Sequence, residues 1–488
     1  MRPFIRKLCF FHPVNLVTLT AGIALCIYVA FKAANSSFTH DESFTWLHYV
    51  HDSFFDIFTY KKSFTNNHLL NSLGMKYSEM IFGNTEFALR LPNLLLLIVY
   101  LIAGFLLFKR ENKLLALAFL FLLCTNNALI DLFGLARGYG LSIGFLLLSL
   151  YYFIESFYSR KTVHVLVFHA TALLAILSSF TLVIFYIALL GISIIMLLAE
   201  WRIEGKKTFL LRSFTIYFLP FIPVFIILFE PVRRVIKFNN FDFGGKNGFF
   251  HDTIQSLVRT SFHNFGFSPI LITILALIFV AIVLTSTAII TVRLMRRNVC
   301  FFNKYKALII SNLALLIMAG IIVLQHILLQ TDYPVGRFAL FFYPLFIVHL
   351  GLLISFLTER KIKKIPVIAI PLIAVTSFLF VSNANPYSCS EWGFDQNTKN
   401  MMLKLNEVHD KKQNKIKLGI DWIFEPAVNY YREKMKLNWL LPADRNGLSD
   451  TDDYDYIPTT FDSGRLPDSY EVIATYPTTD TWLLKMKK

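Results

Sequence analysis

Charge is scarce in this sequence. Only 16% of its 488 residues are Asp, Glu, Lys or Arg, against about 25% in a soluble domain, which excludes an ordinary water-soluble globule. Cysteine is scarcer still, with five in all. Cys9, Cys26, Cys124 and Cys300 fall in apolar blocks or short basic loops and leave Cys389 alone, so no disulfide framework is available. There is no Cys spacing of the metal-binding kind, no Gly-rich phosphate loop and no internal repeat, which disfavours an ATP-driven pump or kinase-like chemistry.

What is present is apolar sequence in long blocks: 55% of the residues are hydrophobic and the mean hydropathy is +0.55. Stretches long enough to span a bilayer fall near 14–33, 87–108, 113–130, 138–157, 163–179, 181–200, 209–229, 269–292, 307–329, 337–357 and 365–382, eleven in total. Two long tracts are divided to reach this count, at the polar run Asn126, Asn127, Asp131, Arg137 and at Ser178, Ser179. The first block is of full length and leads into His40-Asp41-Glu42, so it reads as a membrane anchor and not as a cleaved signal.

The formal charge of +15 supports this topology. The tail from 383 to 488 carries fourteen basic and sixteen acidic side chains, a net of −2, and the first 382 residues therefore carry +17. With the N-terminus inside, the whole +17 falls on the alternate short segments holding Arg2, Arg6, Lys7; Lys109, Arg110, Lys113; Arg160, Lys161; Arg202, Lys206, Lys207, Arg212; Arg293, Arg296, Arg297, Lys304, Lys306; and Arg360, Lys361, Lys363, Lys364. The basic balance thus reports orientation and implies no nucleic-acid partner. The expected fold is an all-α polytopic membrane protein (1–382) with a small α/β domain (383–488) on the outer side.

Three outer segments are sizeable: 34–86, 230–268 and the tail. In the first, Phe44, Leu47, Phe54, Phe55 and Phe58 with Trp46 and Tyr49, and then Leu69, Leu70, Leu73, Tyr77, Met80 and Ile81, read as two amphipathic helices lying on the bilayer surface, the second stopped by Gly83. A re-entrant packing element without chemistry is the alternative. In the tail, Lys417–Trp422, Leu437–Leu441, Tyr454–Pro458, Glu471–Tyr476 and Thr481–Met486 read as strands and Glu425–Met435 as a helix.

Chemistry is expected on the outer side. Asp41 and Glu42 are adjacent carboxylates where the first span leaves the membrane, a location in which an acid needs a partner or a function. On the same side stand Lys61 and Lys62, Asn67-His68, Asp131, Arg137-Gly138-Tyr139 and Tyr333-Pro334-Val335-Gly336-Arg337. Arg and Lys suit a lipid phosphate. A carboxylate that takes a hydroxyl proton, with cations that hold a departing phosphate, is the set needed to move a group from a lipid phosphate to a hydroxyl. The plainer alternatives are that Arg137 and Arg337 snorkel to headgroups or neutralise Asp131 and Asp332, that His68 only starts a helix, and that Lys61 and Lys62 anchor the surface.

The order of these elements resembles the GT-C glycosyltransferase superfamily, and within it the family of protein O-mannosyltransferases and the aminoarabinose transferase of lipid A. The matching residues are Asp41-Glu42, Asn67-His68-Leu69-Leu70, Arg90-Leu91-Pro92, Arg137-Gly138-Tyr139 and Gly336-Arg337-Phe338. The family pattern has Pro where Leu69 stands and Tyr where Phe338 stands. By motif the likeness covers roughly the first 160 residues and beyond them it is one of topology. It implies an inverting transferase that uses a polyprenyl-phosphate sugar and a hydroxyl acceptor on a glycan, lipid or protein at the outer face of a bacterial inner membrane. In that reading Asp41 is the base and Glu42 assists; Lys61, Lys62, Arg137 and Arg337 hold the donor phosphate; and His68, Asp131, Tyr139 and Tyr333 contact substrate. No cofactor is expected, although His40, Asp41, Glu42 and Asp131 offer ligands for a divalent metal. A transporter or flippase of a lipid-linked sugar is the second hypothesis, and a catalytically silent scaffold the third.

Overall fold

The computed structural model describes residues 13–62, 66–205, 207–238, 244–262, 265–296, 298–359, 365–409, 415–445, 454–460 and 469–487. Arg2, Arg6, Lys7, Lys206, Arg297, Arg360, Lys361, Lys363 and Lys364 lie outside them.

The chain is an integral membrane protein built on a helical bundle. Among the described residues, eight helices are long and apolar enough to cross a bilayer: Pro13–Asn35, Glu86–Leu107, Gly138–Ser159, Phe180–Glu204, Leu210–Lys237, Pro269–Met295, Lys306–Leu329 and Ile365–Ser382. A ninth is added if Lys113–Cys124 and Asn127–Gly134, bent by 66° to one another, form one span. Thr162–Ser178 and Phe342–Thr358 are apolar but only 17 residues each. All eleven expected blocks are helical, and eight or nine of them meet the length and composition of a full span among the described residues.

The shortfall has local causes. Asn126 turns its side chain onto the amide of Leu129 (3.0 Å) and starts a new helix, which breaks the first tract. Ser179 is extended (φ −156°, ψ 117°) and ends the helix before it. Residues 336–338 form a 3-10 turn, so the helix expected from 337 begins only at Phe342.

The surface segment also differs from expectation. Around Phe44 it consists of a helix His40–Thr45, a π-helical turn Trp46–Val50 and a short helix Phe54–Phe58. In the following helix, Leu69–Phe82, Leu69, Leu73 and Met75 are buried, but so are the polar Asn71 and Ser72, whereas Met80 and Ile81 are more than 70% exposed. Asn71 donates to the Ala136 carbonyl (2.8 Å) and accepts from Asn93 (3.0 Å). Lipid is a good solvent for apolar groups, so the polar side chains find partners inside the protein and the apolar ones turn outward.

Charged groups inside the bundle are paired, as the low dielectric requires. Lys32 binds Asp131 at 2.5 Å, and Lys306 binds Glu200.

The tail follows Ser382. Its three strands, β1 (Tyr456–Thr460), β2 (Tyr470–Tyr476) and β3 (Thr481–Met486), form one antiparallel sheet in the order β1-β3-β2. The expected helix is present as Glu425–Lys434. The strands expected at 417–422 and 437–441 shrink to isolated bridges, Leu418 with Tyr456 and Ile416 with Leu440. The tail shares its larger core. Met402, Leu405, Val428, Tyr430 and Leu483 cluster with Phe38, Trp46 and Met75 of the surface segment and Leu89 of the next span, while a smaller cluster of Tyr454, Ile457 and Leu484 is the tail's own. Glu86, at the start of a span, receives Lys399 (3.0 Å), Lys434 and the Tyr431 hydroxyl (3.2 Å) from the tail.

Candidate active site

Between the bundle, the surface segment and the tail lies a cavity of about 700 Å³. Asp41, His68, Arg137, Tyr139 and Arg337 all line it. Residues close to 40, 70, 140 and 340 in the sequence thus meet at one place.

Each is held by the element that carries it. Thr39 caps helix 40–45 in a reciprocal box with Glu42, and this sets the direction of Asp41. The tail fixes the residue before it. The His40 amide donates to Asp395 Oδ2 (2.6 Å), and the His40 ring nitrogen Nδ1 meets the Ile423 carbonyl (2.6 Å), which can only accept, so Nδ1 carries the proton. Arg137 precedes helix 138–159 in an extended conformation. A Cβ on Gly138 would lie 1.9 Å from the Ser178 carbonyl oxygen and 2.7 Å from His68 Cβ. Only glycine lets that helix start against the cavity wall. His68 Nδ1 donates to the same Ser178 carbonyl (2.8 Å).

Asp41 sits between two guanidinium groups. Arg137 Nη2 is 3.3 Å and Arg337 Nη2 is 3.6 Å from its Oδ2. Burial raises the Asp41 carboxyl pKa, but the charges of Arg137 and then Arg337 outweigh it and hold the group below its ordinary value. Burial, and next Arg137, lower His68 to about 3, so its imidazole is neutral. Arg137 also reaches the Asn66 carbonyl (3.2 Å) and the Thr45 hydroxyl (3.3 Å), while its Nε is buried without a partner among the described residues. Tyr139 lies between the two arginines, 5.8 Å from each guanidinium carbon to its ring centre. Arg337 is further placed over the Trp392 ring (4.8 Å) and bonded to Glu391 (2.7 Å).

Other expected site residues stand apart from the cavity. Glu42 is fully buried and points away, into a bidentate pair with Arg90 (2.8 and 2.7 Å), and it also accepts the Ala136 amide (2.5 Å). Asp131 is occupied by Lys32, not by Arg137. Lys61 pairs with Asp56 (2.9 Å) and Lys62 with Asp52 (2.7 Å) on the exposed surface. Tyr333 is buried and stacks on His326, 4.1 Å between ring centres. The ligands considered for a metal therefore diverge, and among the described residues no three His, Cys, Asp or Glu side chains come together as a metal site needs.

Sequence reasoning missed the tail's share. Glu391, Trp392, Phe394, Trp422, Ile423 and Arg445 all line the cavity. They lie in turns and loops, where neither periodicity nor spacing marks them. It also missed Lys32, the partner of Asp131, which a lone lysine near the end of a span could have suggested.

Neither a family model nor a curated protein sequence matches the chain. Solved structures do. ArnT from Cupriavidus metallidurans in the apo state aligns over 96% of this chain and 97% of that one, with 9% identity and a TM-score of 0.51. The oligosaccharyltransferase AglB from Archaeoglobus fulgidus, in complex with an inhibitory peptide and a dolichol-phosphate, aligns over 85% of this chain at 11% identity and a TM-score of 0.41. The present chain spans 63% of AglB. ArnT bound to undecaprenyl phosphate aligns at 11% identity with a TM-score of 0.41 and the same near-complete coverage, 96% and 97%. The end-to-end match to apo ArnT shows the fold: this membrane protein shares the architecture of ArnT over the whole chain.

Proposed function

We propose that the chain is an inverting glycosyltransferase that moves a sugar from a polyprenyl-phosphate donor to a hydroxyl acceptor at the outer face of a bacterial inner membrane, with Asp41 as the base. One observation carries this reading: a carboxylate held between Arg137 and Arg337 in a single cavity. Undecaprenyl phosphate bound to ArnT, whose apo form shares the fold over its whole length, supports a lipid-phosphate donor.

The donor phosphate takes the two arginines that Asp41 holds in its absence. Arg337 presents a planar fork to it, and Arg137 has one buried N–H to spare. Released from them, Asp41 becomes a stronger base. It takes the proton of the acceptor hydroxyl as that oxygen bonds to the anomeric carbon. The bond from that carbon to the phosphate oxygen breaks on the opposite side, and the lipid phosphate leaves with the electron pair. The arginines stabilise the charge that develops there. Glu42 acts at a distance, fixing the backbone before Arg137 through Ala136. His68, as a neutral imidazole, and Tyr139 shape the wall. Lys61, Lys62, Asp131 and Tyr333 have no part in the step, because their side chains are engaged outside the cavity. The span residues Val183, Ile184, Val235 and Ile322 give the cavity an apolar side, suited to the prenyl chain.

The test is Asp41→Asn in purified protein with a radiolabelled polyprenyl-phosphate sugar. Loss of the base should lower the rate by about 10²–10⁴-fold with the melting temperature nearly unchanged. Undiminished transfer removes Asp41 from the role. Failure of the wild type with any such donor, together with movement of the lipid across liposomes, makes the chain a transporter.

A further inference from the structure

The cavity has two unlike sides. The span residues Val183, Ile184, Val235 and Ile322 line one side, and on the other the tail sets the aromatic and apolar groups of Trp392, Phe394, Trp422 and Ile423 beside the carboxylate of Glu391 and the guanidinium of Arg445. Trp422 is 54% exposed although it lines a cavity. A large aromatic left open in a concave site is an unusual use of apolar surface, because burial would stabilise the fold.

Trp422 is also held firmly. It opens a 3-10 turn, Trp422–Phe424, that Asp421 caps by accepting the Ile423 amide (3.3 Å). His40 packs its ring edge against the indole, with centres 5.9 Å apart and planes at 86°, while its Nδ1 binds the carbonyl of the next residue. The indole is thus tied to the residue beside the catalytic carboxylate. Across the same space, Arg445 lies 5.0 Å over the Phe44 ring and is fixed by Glu425 (3.0 Å), and Asn66 donates to the Asp41 carbonyl (2.9 Å).

We propose that this side of the cavity is the acceptor subsite and that its ligand is a saccharide, with one sugar ring stacked on Trp422. The inference rests on the transferase reading and names its acceptor class. A sugar ring has an apolar C–H face and a rim of hydroxyls, which matches an indole bordered by amide and charged side chains. A lipid acceptor would leave the Glu391 carboxylate and the Arg445 guanidinium facing an apolar chain. A peptide acceptor added as a strand would need a free strand edge, and the tail residues here come from the turns 390–397 and 422–424 and from position 445, not from the sheet. The stacked ring holds the acceptor hydroxyl toward Asp41, so Trp422 sets specificity and takes no proton.

The experiment uses full-length Asp41→Asn protein in phospholipid nanodiscs, free of glycoside detergent, with the methyl glycosides of glucose, galactose, mannose and N-acetylglucosamine as probes. Saturation-transfer NMR should mark the ring C–H protons of at least one glycoside. Adding Trp422→Ala should weaken that binding about tenfold, the scale of one aromatic stack, and Trp422→Phe should keep most of it, which shows that the site still folds. In active protein, Trp422→Ala should raise the acceptor KM and leave the donor KM unchanged. The proposal is overturned if no glycoside is marked, if Trp422→Ala and Trp422→Phe bind as the parent does, or if a Ser/Thr peptide is marked in place of the sugars. Glycoside binding that depends on Trp422, in a protein that transfers nothing from any lipid donor, would sink the transferase reading alone. Asp41-dependent transfer without glycoside binding would sink this inference alone.

Discussion

Asp41 and Glu42 are neighbours in sequence with opposite duties, and Glu42→Gln separates them. The Glu42 carboxylate receives Arg90 Nε and the Ala136 amide on one oxygen, and Arg90 Nη2, the Thr39 amide and the Thr39 hydroxyl on the other. Arg90 is fully buried, and its remaining N–H groups go to the carbonyls of Ala33, Ser36 and Ser37 and to the Ser36 hydroxyl. A glutamine removes the charge that balances Arg90. Whichever way its amide turns, two or more of these donors face an NH₂ group that cannot accept. Breaking a buried ion pair from one side costs about 3–5 kcal/mol, and two orphaned donors at about 1–3 kcal/mol each give about 2–6 kcal/mol, which brackets that figure. Unfolding entropy near 2.1 cal/mol/K per residue is roughly 1 kcal/mol per degree for a chain of this length. The melting temperature in detergent, followed by tryptophan fluorescence, should therefore fall by about 3–5 °C, or the unfolding rate should rise if melting is irreversible. Asp41→Asn, by contrast, should lower transfer by about 10²–10⁴-fold with a shift below about 2 °C. An unchanged melting temperature for Glu42→Gln would refute the reasoning, because among the described residues no other carboxylate pairs with Arg90.

Lys61→Ala and Lys62→Ala should each leave the rate and the donor KM within about twofold of wild type, since both lysines are engaged on the exposed surface; a tenfold rise in donor KM would bring them into the site. Gly138→Ala forces its new methyl into the Ser178 carbonyl and His68 and should lower stability by about 1–3 kcal/mol, with a loss of transfer that Gly138→Ser does not restore. The acid side of kcat/KM follows the sign of the Asp41 shift. A depressed carboxyl stays ionised from neutral pH down through its ordinary range and is lost only as pH falls through the lowered value, and His68, near 3, is neutral throughout. No acid limb should appear between about pH 5 and 7, whereas in kcat the limb should lie higher because bound phosphate occupies the arginines. A limb near pH 6 in kcat/KM would assign the base to another group.

Chain composition and the ordering of apolar blocks were enough to establish a membrane bundle with a small mixed module after it, because lipid permits only long apolar helices and the positive charge sorts to alternate loops. They were also enough to pick out Asp41, His68, Arg137, Tyr139 and Arg337, because charged or polar groups next to spans need a reason to be there. Folding alone decided their duties. Glu42 and Asp131 look like further acids of the site in one dimension, yet Arg90 and Lys32, 48 and 99 residues away, claim them in three. Lys61 and Lys62 pair with Asp56 and Asp52 on the exposed surface and do not line the cavity. The reverse error concerns Trp422, Glu391 and Arg445, which lie in turns of the tail and reach the cavity because the tail packs into the surface segment and grips His40. Periodicity and composition are local, and the low dielectric of the bundle makes each buried charge select one partner, so only the tertiary structure shows which charges are left for a substrate.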